Sequence, residues 1–482
     1  MNISHENLII FLENYFLILG SLFIIGIAYL ISRANSDGKS TTSIPGNLGI
    51  PFIGEGFSFL SAANSSKGCY EFVRLRRLRH GDWFKTRIFG KIHVFVPSVE
   101  GAKKIYTNDL TMFNKGYLKS MADAAGKKSL FSVPQESHKR IRRLLSDFFS
   151  MNSLSIFVPI VDKMITQRLN NLERDGQSFG VFNFSTKMTF AATCKMLMSI
   201  TDASLVEQIE RDITAVSNAV ISFPVMIPGT TYYKGIKARK RIMKTFKEMI
   251  GKRRNGEENL DDFLQRMIER DSYPNNEKLD DEEIMDNLLT MMLSGQNTTA
   301  AAMMWSVKFL SDHTDVQDKL REEQVSILRS KPEGTLLTLK DLEKMSYASK
   351  VIKETLRMAN IVLWIPRVAL ENCTIDGIEI KRGWHVNIDA PRIHFDPETY
   401  KDPFLFNPSR WDEMQKPYSY IPWGTGPRTC LGMNMAKITM LAFLHRLTSG
   451  YKWTVDDEDP RLDRKSFIPR LQSGCPITLA AL

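Results

Sequence analysis

The chain has 482 residues, of which 43% are hydrophobic and 24% charged, and 64 Lys+Arg against 54 Asp+Glu give a formal net charge of +10. These proportions exclude a disordered or collagen-like chain, and the length admits either one large core or two to three average domains. Cys69, Cys194, Cys373, Cys430 and Cys475 are odd in number, widely scattered and without paired metal-ligand spacing, so they read as reduced thiols facing a cytosolic compartment.

In chain order, the one membrane-length segment is residues 8 to 31. Tyr15 to Ile31 carries no charge, and Leu8 to Leu12 extends it across Glu13 and Asn14, which meets the roughly 20 residues a bilayer span requires. Glu6 and Glu13 lie before it and Arg33 and Lys39 after it, so the positive-inside rule places the C-terminal bulk in the cytosol. No basic region precedes the run, which favours an uncleaved signal-anchor over residues 1–33 rather than a removed signal peptide. Residues 34–54 read as a polar linker followed by a stiff, turning connector, Ile44-Pro45-Gly46-Asn47-Leu48-Gly49-Ile50-Pro51-Phe52-Ile53-Gly54. Residues 55–482 make up the rest of the chain.

Trp83 to Ile88 and Ile92 to Val96, around Phe89-Gly90-Lys91, predict a hairpin. From about residue 98 to 360 the periodicity is mostly helical, and strand-like pieces return at Val362–Val368, Cys373–Ile375, Ile378–Ile380 and Val386–Ile388. The expected class is mainly α with a small β lobe behind an N-terminal transmembrane helix. Asn255–Glu258 and Ser272–Lys278 are the expected surface loops.

Lys234 to Arg254 holds ten Lys/Arg against the single acid Glu248. Ile242, Met243, Phe246, Met249 and Ile250 recur in it at helical spacing, predicting an amphipathic helix with a basic outer face. That face is either simply solvated or drawn to anionic lipid. No aromatic interleaving or recognition motif accompanies it, so no nucleic-acid partner is expected. Ser294-Gly295-Gln296-Asn297-Thr298-Thr299 interrupts an otherwise apolar helix, and Gly295 lowers its propensity. By itself it is a polar patch able to bond back to its own carbonyls. Glu354 and Arg357 share a helix face and can pair. Phe406-Asn407-Pro408-Ser409-Arg410-Trp411 follows, and His394 sits in a His-Phe-Asp-Pro turn as a structural residue. Last comes Tyr420-Ile421-Pro422-Trp423-Gly424-Thr425-Gly426-Pro427-Arg428-Thr429-Cys430-Leu431-Gly432. A cysteine that binds iron as a thiolate needs backbone N–H groups aimed at its sulfur and a tight turn, which Gly426 and Gly432 can supply through positive φ. The planar guanidinium of Arg428 suits a carboxylate.

This succession of motifs resembles the cytochromes P450, over nearly the whole chain. The resemblance implies that Cys430 is the axial ligand of a haem b iron, with Trp423 replacing the usual Phe as the aromatic beside the sulfur. It implies that Arg428, Arg142, His138 and Arg367 approach the haem propionates, His138 standing where Trp is usual, and that Glu354, Arg357 and Arg410 form a buried ionic knot. Thr298 matches the threonine of the oxygen-activation groove; Ser294 replaces the usual Ala or Gly there, and Asn297 replaces the usual acid, which puts the acidic proton relay in doubt. Lys139, Arg140 and Arg143 become candidates for a basic surface that receives an acidic reductase, a generic basic helix face being the alternative. The implied activity is a monooxygenase using O2 and electrons from NADPH-cytochrome P450 reductase, tethered to the endoplasmic reticulum membrane by one span with its catalytic domain in the cytosol. Ser137 to Arg143 and Pro422-Trp423-Gly424 are most similar to plant P450s that oxidise steroids and terpenoids, the group with brassinosteroid, gibberellin, abscisic acid and triterpenoid oxidases. A bulky lipophilic substrate would meet Met121, Phe131, Val220–Ile227, Met291, Ile361–Leu363 and Leu471. The competing functions are a haem-thiolate isomerase or dehydratase that takes no electrons, and a haem-binding sensor or carrier.

Overall fold

The hairpin forms because Phe89 and Gly90 both adopt positive φ, 50° and 80°, the two-residue turn whose twist suits antiparallel strands. In the computed structural model, which describes residues 19–29, 44–50, 53–117, 119–220, 222, 224–274, 277–464 and 466–482, it joins β2 (Lys85–Ile88) to β3 (Lys91–Val96). The sheet around it also contains β1 (Gly46–Asn47), β4 (Phe113–Lys115), β5 (Trp364–Ala369) and β6 (His385–Asp389), in the order β1-β2-β3-β6-β5-β4. β1 pairs parallel with β2, and Ile44 is buried against the sheet. The Pro/Gly connector therefore begins inside the folded body. β4 and β5 run antiparallel with Lys115 opposite Arg367, so two cations lie side by side on one face.

Helices make up the larger lobe. α1 is Gln135–Ser146, α2 Val181–Met198, α3 Ala203–Val220 and α4 Thr231–Arg254. α5, Asp281–Asp312, is a helix of 32 residues opened by a capping box. The Glu283 N–H donates to Asp280 Oδ1 at 2.9 Å and the Asp280 N–H to Glu283 Oε2 at 3.1 Å, and three acids in the first turn favour the positive end of the helix dipole. α5 lies along α2, α3 and α4, sharing the main core. α6 (Ser346–Ala359), α7 (Ala390–His394) and α8 (Met433–Gly450) complete the frame. A second small sheet pairs Tyr451–Val455 with Pro476–Ala481 at the C-terminus.

α5 runs unbroken through Ser294–Thr299, as one helix was expected to, tertiary packing on α2 outweighing the weak propensity of Gly295. Gly295 has only Thr193 Oγ1 near the position of a Cβ, at 3.8 Å. Four arginines of α4 have acidic partners: Arg239 binds Asp286, Arg241 binds Asp212, Arg254 binds Asp281, and Arg253 is fully buried against Asp262 at 2.8 Å; Lys234, Lys237, Lys240, Lys244, Lys247 and Lys252 stay exposed, so the basic outer face is present. Val225, Met226 and Ile227, expected to wall a pocket, are 42–59% exposed, and Leu471 is buried in the main core. Of the expected membrane span, Leu19–Tyr29 is a short apolar helix and the remainder lies outside the described residues. Among the described residues no single helix is long and apolar enough to cross a membrane.

Candidate active site

The cysteine loop is held by its own backbone. The Gly424 N–H donates to Ile421 O at 3.0 Å, Cys430 N–H to Trp423 O at 2.8 Å and Thr429 N–H to Gly426 O at 3.1 Å. Gly426 and Gly424 adopt φ of 75° and 62°, a conformation other residues rarely take. Gly432 does not: its φ is −84°, and it serves as the N-cap of α8 with its N–H on the Cys430 sulfur. The turn needs Gly424 where the sequence had pointed to Gly432. Cys430 is accessible to solvent, yet the protein packed around its sulfur desolvates the thiol and raises its pKa, while the Gly432 N–H and the Arg142 charge pull it back. The start of a helix behind the sulfur adds further pull towards the anion.

His394 ties this loop to the rest. The Ile421 N–H donates to its Nε2 at 3.0 Å, so Nε2 is the acceptor and Nδ1–H donates to Asn360 Oδ1 at 2.7 Å. Burial and the Arg357 charge hold its pKa down at about 3, so it is a neutral strut and not a ligand. Asn360 sits in the left-handed region at the end of α6. One turn before that end, Glu354 accepts hydrogen bonds from Arg357 Nε (3.0 Å) and Nη2 (2.8 Å), Arg410 Nε (2.8 Å), Asn407 N–H (3.1 Å) and Trp411 Nε1 (3.1 Å). Arg357 also donates to the carbonyls of His394 at 2.8 Å and Pro403 at 2.7 Å. Glu354, Arg357 and Arg410 are thus brought together beneath the loop.

A cationic cluster forms beside the sulfur. Arg142 on α1 donates to Thr429 O at 2.6 Å, so it grips the cysteine loop itself. His138, one turn earlier, is buried, and its Nδ1 has no partner among the described residues. Burial first, and then the charges of Arg428, Arg142, Lys115 and Arg367, push its pKa down to about 4. Arg428 donates to Asn114 Oδ1 at 3.0 Å. Lys115, which belongs to no sequence motif, bonds the carbonyls of Ser132 and Val133, and burial and the Arg428 charge lower its pKa to about 8. The segment it holds is also strapped to α5: the Lys128 N–H donates to Asp286 Oδ2 and the Leu130 N–H to Asn287 Oδ1, each at 2.9 Å. Arg140 is not free for a partner protein, because it bonds Glu283 and Lys278 O; Lys139 remains exposed.

On α5, Thr298 Oγ1 donates to Ser294 O at 2.7 Å. Its lone pairs stay available to accept. Asn297 makes no side-chain hydrogen bond to another described residue, while neighbouring Gln296 is buried and donates to Glu210 Oε1 at 3.3 Å.

The donor set fits an iron porphyrin. Among the described residues no group of three or more His, Cys, Asp or Glu could hold a metal ion, so an iron bound at Cys430 would have to bring its other ligands with it, as a porphyrin does. The clustered cations and the buried His138 Nδ1, which has no hydrogen-bond partner among the described residues, offer donors to an anion such as a porphyrin carboxylate.

Comparison with known proteins agrees. The chain is 32% identical over 419 residues to ent-kaurenoic acid oxidase 1 of Arabidopsis thaliana, covering 85% of each chain. It is 31% identical to β-amyrin 11-oxidase of Glycyrrhiza uralensis, again covering 85% of each. Abscisic acid 8'-hydroxylase 1 of Arabidopsis thaliana is 29% identical over 96% of both chains. Among solved structures, the retinoic acid-bound cyanobacterial CYP120A1 superposes with a TM-score of 0.81 at 25% identity, covering 91% of this chain and 99% of that one. The family profile described as Cytochrome P450 matches residues 44–473. A lone accessible cysteine at the head of a helix, an arginine-rich cluster beside it and this match across most of its length agree: the chain belongs to the cytochrome P450 monooxygenases, a membership that implies a haem-thiolate iron cofactor.

Proposed function

We propose that this P450 hydroxylates or successively oxidises a bulky lipophilic terpenoid or steroid, using O2 and electrons from NADPH-cytochrome P450 reductase. The observation that carries the reading is Cys430, with the Gly432 N–H on its sulfur and the Arg142, Arg367, Arg428, Lys115 and His138 group beside it. Haem b held there supplies the oxidising power that side chains lack. Cys430 would hold the iron, and the cationic group would hold the carboxylates. The substrate class is supported by relatives named for ent-kaurenoic acid, β-amyrin and abscisic acid, all terpenoid in carbon skeleton. The deciding experiment incubates membranes containing the protein and a reductase with sterols, triterpenes and diterpenes, with and without NADPH. Product formed without NADPH would replace this reading by an isomerase or dehydratase.

Reducing one oxygen atom to water consumes protons, and we assign their passage to Thr298 Oγ1 on α5. Asn297 cannot titrate, so its amide orients a water while Thr298 accepts from that water and exchanges its bond to Ser294 O. Thr298→Ala is expected to leave substrate binding intact while diverting electrons into peroxide, and Asn297→Leu to do so in part. Asn297→Asp, which restores an acid at the same length, should stay coupled. The measurement is product formed per NADPH consumed; equal ratios in wild type, Thr298→Ala and Asn297→Leu would refute the assignment.

Attachment to the endoplasmic reticulum would come from the uncharged run Tyr15 to Ile31, with the basic residues after it keeping the domain cytosolic. Deleting residues 1–33 should shift most of the protein from membrane pellet to supernatant. Because Lys234, Lys237, Lys240, Lys244, Lys247 and Lys252 stay exposed on α4, any attachment that remains should weaken as salt is raised. Retention in the pellet at wild-type level would show that the anchor lies elsewhere.

A further inference from the structure

The cationic group beside Cys430 contains an acid that none of the functional assignments above uses. Asp109 follows the helix Val99–Thr107, in a loop that doubles back at Leu110, φ 76°, whose N–H reaches Phe113 O at 2.9 Å. That return places Asp109 against β4 and β5, where Lys115 stands opposite Arg367. Its Oδ2 accepts from Arg367 Nε at 3.0 Å and from Arg367 Nη2 at 2.7 Å. Its Oδ1 lies 3.5 Å from Arg428 Nε, an ion-pair distance too poorly aimed to be a hydrogen bond, and both atoms are buried without another partner. All three side chains are at most 5% exposed.

An acid in this position calls for a physical account. A site that receives carboxylates is weakened by a buried negative charge unless that charge does something the cations cannot do alone. Arg142, Arg367, Arg428 and Lys115 carry four positive charges around His138; Asp109, bonded to Arg367, leaves a net three. Two guanidinium groups confined together repel, and each has several rotamers that would carry it away. A carboxylate between them fixes both.

The geometry points to Asp109 as the positioning residue of the haem-carboxylate site: it holds Arg367 and Arg428 side by side, so that their remaining N–H groups are available to an anion. This rests on the haem-thiolate reading and extends it to a residue that acts only through two others. Asp109 is thus opposed in sign to the ligand it helps to bind. Removing its charge should weaken retention of that ligand, whereas a residue that merely diluted positive charge would, on removal, strengthen it.

The test is haem loss from the holoprotein to excess apomyoglobin, followed in the Soret region. Asp109→Asn should release haem roughly 10-fold faster than wild type, the usual scale for losing an orienting partner of a ligand-binding group. Its ferrous–CO spectrum should still show a thiolate. Asp109→Glu, which keeps the charge on a longer arm, should release at an intermediate rate, and it carries the test if Asp109→Asn yields no holoprotein. Arg367→Ala should also release faster, and adding Asp109→Asn to it should change little further. Release from Asp109→Asn at the wild-type rate or slower would overturn the inference, as would a double variant whose acceleration is the product of the two single ones. A wild-type protein without a thiolate-type CO band would instead defeat the haem-thiolate reading.

Discussion

Cys430→Ser is expected to abolish the red-shifted Soret band that CO gives with thiolate-ligated ferrous haem, and with it all NADPH-dependent product. The other four cysteines, Cys69, Cys194, Cys373 and Cys475, are buried elsewhere, so none can take over. Serine keeps the size of the side chain and can still accept from the Gly432 N–H, and the bonds that shape the loop, Cys430 N–H to Trp423 O among them, are made by backbone. The loop should therefore survive while the ligand is lost. A hydroxyl is a far weaker acid than a thiol and will not bind iron as a strongly donating anion at neutral pH. The CO difference spectrum of the purified variant decides the matter. A band unchanged in position and height would remove Cys430 from the site altogether.

The parts of this site that could be read from sequence are those whose atoms are close along the chain. Gly426, Arg428 and Cys430 lie within one turn, and Glu354 and Arg357 within one helical turn, so local spacing carries their geometry. Arg410 was reached only through the order of motifs. Asp109 was not reachable at all: it meets Arg367 across 258 residues, and a lone aspartate after a helix looks like any turn residue. Lys115 is hidden for the same reason, its neighbour on β5 being supplied by strand register. Arg140 and Arg253 look like free surface charge within their own helices because the acids that pair with them, Glu283 and Asp262, are invisible to any count made within one helix.

Secondary structure shows the same division. The hairpin was anticipated within two residues because Phe89-Gly90 is a local turn signal. β4 is three residues long and exists because β5 offers it an edge, which no short-range pattern states. Tyr451–Val455 did carry a signal, since Tyr451, Trp453 and Val455 alternate with Lys452 and Thr454, the period of a strand with one face covered. Gly295 is a local signal that packing outweighs. Its propensity is a local quantity of about 1 kcal/mol, small beside the burial of a long helix against its neighbours.

The second large effect belongs to Glu354. Glu354→Ala is expected to prevent stable haem incorporation, because it strands Arg357, which like Glu354 is 0% exposed. Breaking a buried pair from one side costs about 3–5 kcal/mol, since the remaining charge keeps its desolvation penalty and loses its counter-charge. That is a large share of the roughly 5–15 kcal/mol by which most domains are stable. The loss would not stay local. Glu354 also holds the Asn407 N–H and Trp411 Nε1, and Arg357 holds the carbonyl of His394, whose ring in turn carries the Ile421 N–H at the entry to the cysteine loop. Releasing one carboxylate therefore loosens the path from α6 to Cys430. Glu354→Gln should rescue little, because its amide donor faces arginine donors where an acceptor is required. Thermal unfolding and the ratio of Soret to protein absorbance measure the two halves of the effect. A Glu354→Ala protein with normal haem content and an unchanged midpoint would show that Arg357 and Arg410 are held by their carbonyl partners alone.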